Sequence, residues 1–260
     1  MTHKRRVPRS QEQIIELTEA LSRNGKAIIE GPKRKKWSTH DIKQIKPLNL
    51  AQEDMFRAFF EGQHICAHGS AGTGKSYIAC FLALNEILRN DTPAKRIIIV
   101  RSAVATRDVG FMPGSLDEKV ALYELPYHDM FSDLIHPRRA CTYDDMKAAG
   151  LVQFNTTSFI RGLTWDDAVV IVDEAQNMTF HEINSIMTRI GENTRIMVLG
   201  DLPQTDLGRR AGKYAEVTGM DRMIQIVSGM KEFSTIKFTH DDIVRSDFVK
   251  AWIVASEDVV

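Results

Sequence analysis

Charge of one sign is what this sequence lacks: 34 lysines and arginines stand against 34 aspartates and glutamates, for a formal net charge of zero. That balance excludes a whole-molecule field drawing the chain onto nucleic acid or an anionic surface, so any such contact must be a local patch. Cysteine is also scarce. Cys66, Cys80 and Cys141 are odd in number and none stands in CxxC spacing, which excludes a disulfide framework and indicates a reducing interior. Long apolar runs are missing, so no membrane span is expected. The opening MTHKRRVPRSQEQ is basic but has no apolar stretch behind it, unlike a secretory signal. Internal repeats and low-complexity tracts are missing too. These absences predict a soluble cytoplasmic protein with no membrane partner.

What is present is enough apolar side chain for a full core, 43% of 260 residues, in a length that suits one large α/β domain with additions. Residues 1–46 differ from the rest and are expected to form a helical, basic extension. SQEQIIELTEALSRNG reads as an amphipathic helix with Ser10 as N-cap and Gly25 as its stop. Lys33, Arg34, Lys35, Lys36 and Trp37 then form either a solvated linker or a patch for nucleic acid. In residues 47–260, strands are expected at 64–68, 97–100, 152–155, 169–172, 196–199 and 235–239. They are short, β-branched and unalternating, the pattern of strands buried on both faces of a parallel sheet. Helices are expected at 51–61, after the loop that ends at Ser76, at 117–135, at 143–149 and from Phe180, with Gly191 as the last one's stop. The fold class is a doubly wound, mainly parallel α/β sheet with helices on both faces.

One stretch carries chemistry by its spacing alone. Gly69-Ser70-Ala71-Gly72-Thr73-Gly74-Lys75-Ser76 satisfies G-x-x-x-x-G-K-[ST], in which backbone N–H groups wrap a phosphate chain. Glycine lets the backbone approach an anion and take positive φ. Lys75 is expected to reach the terminal phosphates and Ser76 to hold Mg²⁺. A strand before the loop and a helix after it aim the helix's positive end at the phosphates.

Metal and base are expected from VVIVDEAQN, where Asp173 and Glu174 end a buried strand, at the edge where such sheets bind ligands. Asp173 is expected to hold Mg²⁺ opposite Ser76, and Glu174 to deprotonate the attacking water. IMVLGDLPQTDL repeats the arrangement, with Gln204 placed to bridge the γ-phosphate or the water to a moving element. Gln52, in PLNLAQEDMF, is either a selector of adenine through its amide or a surface residue at a helix start. His64, Cys66 and His68 share one strand face, a possible metal geometry, although lining a buried strand accounts for them without one. Arg101 and Arg161 stand near strand ends as candidate nucleic-acid phosphate contacts.

The ordered set LNxxQ (48–52), GSAGTGKS (69–76), DEAQ (173–176) and GDxxQ (200–204) resembles the first RecA-like domain of superfamily-1 helicases. The closer resemblance is to the PhoH-like ATPase family, through GFMPGSLDEKV (110–120), PY (126–127), FIRGLT (159–164), VVIVDEAQN (169–177), TRIG (188–191), GDLPQTDL (200–207) and DDIVRSDFVKAWI (241–253). The family usually has RPAV where this chain has RSAV at 101–104; a rigid turn is lost and Arg101 kept. The resemblance implies a RecA-like P-loop ATPase that binds ATP and Mg²⁺ and acts on single-stranded nucleic acid, RNA favoured. Helicases of this type place the site between two RecA-like domains, and this length suits one. A homo-oligomer, a ring-shaped hexamer, is therefore expected, with Arg245 as the arginine lent to a neighbour's γ-phosphate. Rival readings are a nucleotide-dependent interaction module and a P-loop kinase.

Overall fold

The computed structural model describes residues 37–89, 91–102, 116–136, 141–160, 162–201 and 219–257. They belong to one compact unit, Trp37–Val260. The expected N-terminal helix, the basic run 33–36, Arg161, Gln204 and residues 103–115 lie outside the described residues.

Six strands form one sheet: β1 (His64–Gly69), β2 (Arg96–Arg101), β3 (Val152–Thr156), β4 (Ala168–Asp173), β5 (Arg195–Asp201) and β6 (Phe233–Phe238). Their order is β3-β2-β4-β5-β1-β6, and every neighbouring pair is parallel. Each overlaps a run expected from sequence, because β-branched residues suit a pleated surface packed on both sides.

Alternate residues of each strand feed two cores. Ile65, Ala67, Ile97, Ile99, Val169, Ile171, Met197 and Leu199 enter the first. It is covered by α1 (Leu50–Phe60), α2 (Lys75–Leu88), α3 (Leu116–Leu134) and α4 (Tyr143–Ala148). Cys66, Ile98, Val100, Val170, Val172, Ile196 and Val198 enter the second, under α5 (Phe180–Met187) and α6 (Gly219–Val227). The sheet is thus doubly wound, as the sequence predicts. A last helix, α7 (Asp247–Glu257), follows β6.

Two details depart from expectation. The α5 helix ends at Met187, four residues before Gly191. A Cβ at Gly191 would lie 1.9 Å from Asp166 Oδ1 and 2.9 Å from the Trp165 carbonyl oxygen. Glycine is needed there for close approach, not as a helix stop. Residues 37–46 pack onto the unit: Ile42 is buried in the first core and Trp37 packs against it.

The strand order positions the site. β5 lies between β1 and β4, and the passage from β5 to β6 crosses β1. Gly69, Asp173 and Asp201 are brought to one carboxyl edge, where the order reverses and a crevice opens.

Candidate active site

The loop from Gly69 to Ser76 joins β1 to α2. Gly69, Gly72 and Gly74 have φ of +126°, +73° and +83°, values that residues with a Cβ rarely adopt. Gly69 has a second constraint, since a Cβ there would meet the Phe238 carbonyl oxygen at 1.9 Å. Ser70 N–H donates to that carbonyl (3.1 Å). Ser70 Oγ is buried with no hydrogen-bond partner among the described residues. Ala71 and Thr73 complete the turn, with Thr73 Oγ1 donating to the Ser70 carbonyl (3.1 Å).

Lys75 is 5% exposed. Its amino group donates to the Ser70 carbonyl (2.7 Å) and Thr73 Oγ1 (3.1 Å) and pairs with Asp201 Oδ1 (2.8 Å). It lies 5.4 Å from the centre of the Phe238 ring. Ser76 Oγ donates to Asp173 Oδ1 (2.8 Å), so the two residues assigned to Mg²⁺ from sequence face each other. Both offer hard oxygen donors, the type Mg²⁺ selects. These residues fit that ion.

Glu174 has φ +56°, a conformation costing a non-glycine residue roughly 1–3 kcal/mol and concentrated at functional sites. Burial, and then the neighbouring Asp173 charge, push its carboxyl above the usual carboxylate range, while Arg101 opposes them. Gln176 Nε2 donates to Glu174 Oε2 (2.7 Å), and Gln176 Oε1 accepts from Asp201 N–H (3.0 Å). Gln176 therefore bridges two strand ends. Arg101, expected to face nucleic acid, instead sits with Nη2 3.8 Å from Glu174 Oε1. It pairs in register with Asp173 across β2 and β4.

Gln52 is 2% exposed rather than on the surface. Its Nε2 donates to the Thr73 carbonyl (2.9 Å) and its Oε1 accepts from Leu48 N–H (2.8 Å). The amide thus braces the phosphate loop and retains one N–H and one lone pair for a base. Arg245 sits beside its own chain's loop: its Cγ is 3.1 Å from where a Gly72 Cβ would stand. Val244 N–H donates to the Gly72 carbonyl (3.1 Å). The Asp242 carboxylate accepts from Thr239 N–H (2.8 Å) and Thr239 Oγ1 (3.0 Å).

These groups open onto one cavity of about 780 Å³, lined among others by Gln52, Lys75, Ser76, Asp173, Glu174 and Arg245. His64, Cys66 and His68 lie apart from it. Cys66 is in the second core and burial pushes its thiol up to about 12. His64 Nδ1 accepts from Ile196 N–H (3.3 Å). Among the described residues, no helix is long and apolar enough to cross a membrane.

Sequence reasoning assigned no role to Tyr127 or Gln176. Tyr127 OH donates to Asp173 Oδ2 (2.7 Å). The signals were the PY pair inside a helical stretch and the glutamine directly after Asp-Glu-Ala.

A glycine loop opening a helix, with its hydroxyl facing the acid at the end of a buried strand, defines a P-loop NTPase with a RecA-like sheet. The model of the family described as PhoH-like protein matches residues 44–257, and the chain belongs to that family. It is similar to the PhoH-like protein of Mycobacterium leprae, 32% identical over 221 residues, covering 81% of this chain and 62% of that protein. The PhoH-like protein of Bacillus subtilis is 31% identical over 217 residues, 82% of this chain and 64% of that one. Protein PhoH of Escherichia coli K12 is 32% identical over 211 residues, 80% and 57%. The chain thus spans less than two thirds of the length of these relatives. Among solved structures it is similar to the Pyrococcus furiosus Hef helicase domain (TM-score 0.43, 11% identity, 73% of this chain and 38% of that one). The Pif1 helicase from Candida albicans gives a TM-score of 0.33 at 16% identity, with 75% and 40% covered.

Proposed function

We propose that the chain is a Mg²⁺-dependent ATP hydrolase that acts on, or is stimulated by, single-stranded nucleic acid, with RNA favoured. The observation that carries the hydrolase reading is the 2.8 Å contact of Ser76 Oγ with Asp173 Oδ1, in a cavity shared with Lys75 and Glu174. Mg²⁺, when bound by Ser76 and Asp173, supplies charge neutralisation on the phosphates. The chain's own groups do the rest. Loop N–H groups and Lys75 hold the β- and γ-phosphates. Glu174, its proton affinity raised by burial and by Asp173, accepts a proton from the attacking water. Gln176 fixes that carboxylate. Gln204 completes the γ-phosphate contacts, and Gln52 chooses adenine with its remaining donor and acceptor. Catalysis is then chiefly positioning and fixed charge.

Arg245 lies against its own chain's loop, which supports action within the subunit rather than on a neighbour. We further propose a homo-oligomer, a ring-shaped hexamer; association as such has separate support. Phe248 and Trp252, one turn apart on α7, are 76% and 66% exposed, and exposed apolar patches mark association sites. Support for a nucleic-acid partner is the basic run Lys33 to Lys36, whose contacts are expected to weaken steeply with salt.

ATP turnover measured with and without single-stranded RNA and DNA tests the reading, together with calorimetry of an ATP analogue against wild type and Lys75→Ala. Binding lost in the variant and turnover raised by RNA are expected. Unchanged affinity in Lys75→Ala refutes the site; turnover indifferent to both strands refutes the partner and leaves an ATP-dependent interaction module.

A further inference from the structure

The acid pair is held from a helix that carries none of the residues assigned to nucleotide or cation. Tyr127 lies in α3 and is completely buried. Its ring packs near Phe154, centroids 5.8 Å apart, and its hydroxyl ends on Asp173 Oδ2 at 2.7 Å. The other oxygen of that carboxylate, Oδ1, accepts from Ser76 Oγ (2.8 Å) and from Glu174 N–H (3.1 Å). One turn earlier on the same helix, the Tyr123 carbonyl accepts from Arg101 Nη1 (3.3 Å). The guanidinium also lies over the Tyr123 ring, 5.9 Å from its centre, and reaches Glu174. Two tyrosines four residues apart share a helix face, so α3 touches Asp173 directly and Glu174 through Arg101.

The division of oxygens carries the consequence. A carboxylate rotates about its Cβ–Cγ bond over a broad well. With Oδ2 tied to a rigid buried phenol, Oδ1 has one direction left, toward the hydroxyl that opens α2. A phenol hydroxyl is a donor at neutral pH, and here its proton can go only to Asp173 Oδ2.

Resting on the ATPase reading above, we infer that Tyr127 is a positioning residue for the divalent cation: its phenol fixes the Asp173 carboxylate so that Oδ1 faces Ser76. It touches neither nucleotide nor ion and acts through Asp173. Partners that orient a metal-holding carboxylate typically matter about 10–100-fold in metal affinity.

The test reads the cation rather than the reaction. Mn²⁺ is titrated into the full chain with ADP present and followed by electron paramagnetic resonance, in wild type and Tyr127→Phe. Phenylalanine keeps the ring and its packing and removes the hydroxyl. Mn²⁺ affinity is expected to fall about tenfold or more, with ADP affinity in EDTA unchanged. In an Asp173→Ala background, Tyr127→Phe is expected to cause no further loss, because the two residues act as a unit. Unchanged Mn²⁺ affinity in Tyr127→Phe overturns the inference. So does an equal fall in metal-free ADP affinity, or a Tyr127→Phe chain that no longer folds, since either makes the phenol a structural group. Wild type that binds no Mn²⁺ with ADP overturns the ATPase reading itself. Binding in wild type with no difference in the variant overturns only the role of Tyr127.

Discussion

Replacing Gly69 with alanine separates two costs of the phosphate loop, because the chain contains its own control. Gly69 has φ +126°, and a Cβ there would lie 1.9 Å from Phe238 O, 2.8 Å from Phe238 C and 3.0 Å from Phe238 N. All three are backbone atoms of β6, paired in register with Gly69 itself, so no side chain can swing aside. An ordinary contact needs roughly 3.5 Å. The ends of β1 and β6 must therefore part by about 1.5 Å, taking with them the Ser70 N–H bond to Phe238 O. The backbone conformation costs roughly 1–3 kcal/mol, and the broken buried hydrogen bond adds about 1–3 kcal/mol. Gly62 also has positive φ, +84°, but nothing stands within 4 Å of its would-be Cβ. Gly62→Ala should therefore show only the conformational part, about 1–2 kcal/mol. Urea unfolding of both variants gives the difference, and titration with an ATP analogue gives the functional effect. Gly69→Ala should be the less stable and should bind nucleotide more weakly, because Phe238 carries both the loop's anchor and the ring beside Lys75. Equal losses of stability, within about 0.5 kcal/mol, or wild-type affinity in Gly69→Ala, would refute the close-approach argument.

Glu174→Gln should keep nucleotide bound while single-turnover hydrolysis slows at least about a hundredfold; normal turnover would remove Glu174 as the base. The same variant has a stability signature. The folded chain holds the Glu174 proton more tightly than the unfolded chain does, so this carboxyl lowers stability as pH rises from about 4.3 through the raised value. Thermal unfolding should show Glu174→Gln gaining on wild type above that window and matching it below; a gain independent of pH would contradict the shift. Gln52→Ala should weaken ATP and GTP alike through the loosened loop, and ATP by a further 1–3 kcal/mol or so if the amide reads adenine. Equal losses in parallel titrations would leave it a brace. Arg245→Ala and Glu174→Gln subunits, mixed under demonstrated exchange, should not recover turnover, because Arg245 faces its own loop; recovery would show that it serves a neighbour.

The residues that sequence made legible are contiguous ones. Eight consecutive positions specify the phosphate loop, and six apolar runs specify strands, of which the four central ones are buried on both sides while the edge strands β3 and β6 are only partly buried. Nothing in either pattern says that β5 inserts between β1 and β4. The contacts that depend on that order were correspondingly illegible. Asp201 reaches Lys75 and Gln176 reaches the Asp201 backbone only because β5 separates the loop strand from the acid strand. Arg101 could be placed near a strand end but not beside Glu174, since the pairing of β2 with β4 is a tertiary fact. Gly191 shows the converse error. A glycine after an apolar helix is a common stop, but here the close approach of Asp166 and Trp165 requires it.

The polar groups of the cavity are paired with one another, and this sets how binding must be reasoned about. Lys75 is shared among the Ser70 carbonyl, Thr73 and Asp201; Ser76 is bonded to Asp173; Glu174 is held by Gln176 and Arg101. At these three residues a phosphate chain with its cation does not meet bare charges. It exchanges partners with groups already satisfied, so each new contact is worth its strength less that of the bond it replaces. Buried charges of this kind cost several kcal/mol when left alone, which explains why the acids sit where they do. Asp201 neutralises Lys75, and a phosphate arriving at Lys75 must displace that carboxylate. Asp201 ends β5, immediately before the segment that carries Gln204. On the function proposed above, that carboxylate stands three residues before the assigned γ-phosphate sensor, so displacing it from Lys75 would act on the strand end that leads to Gln204.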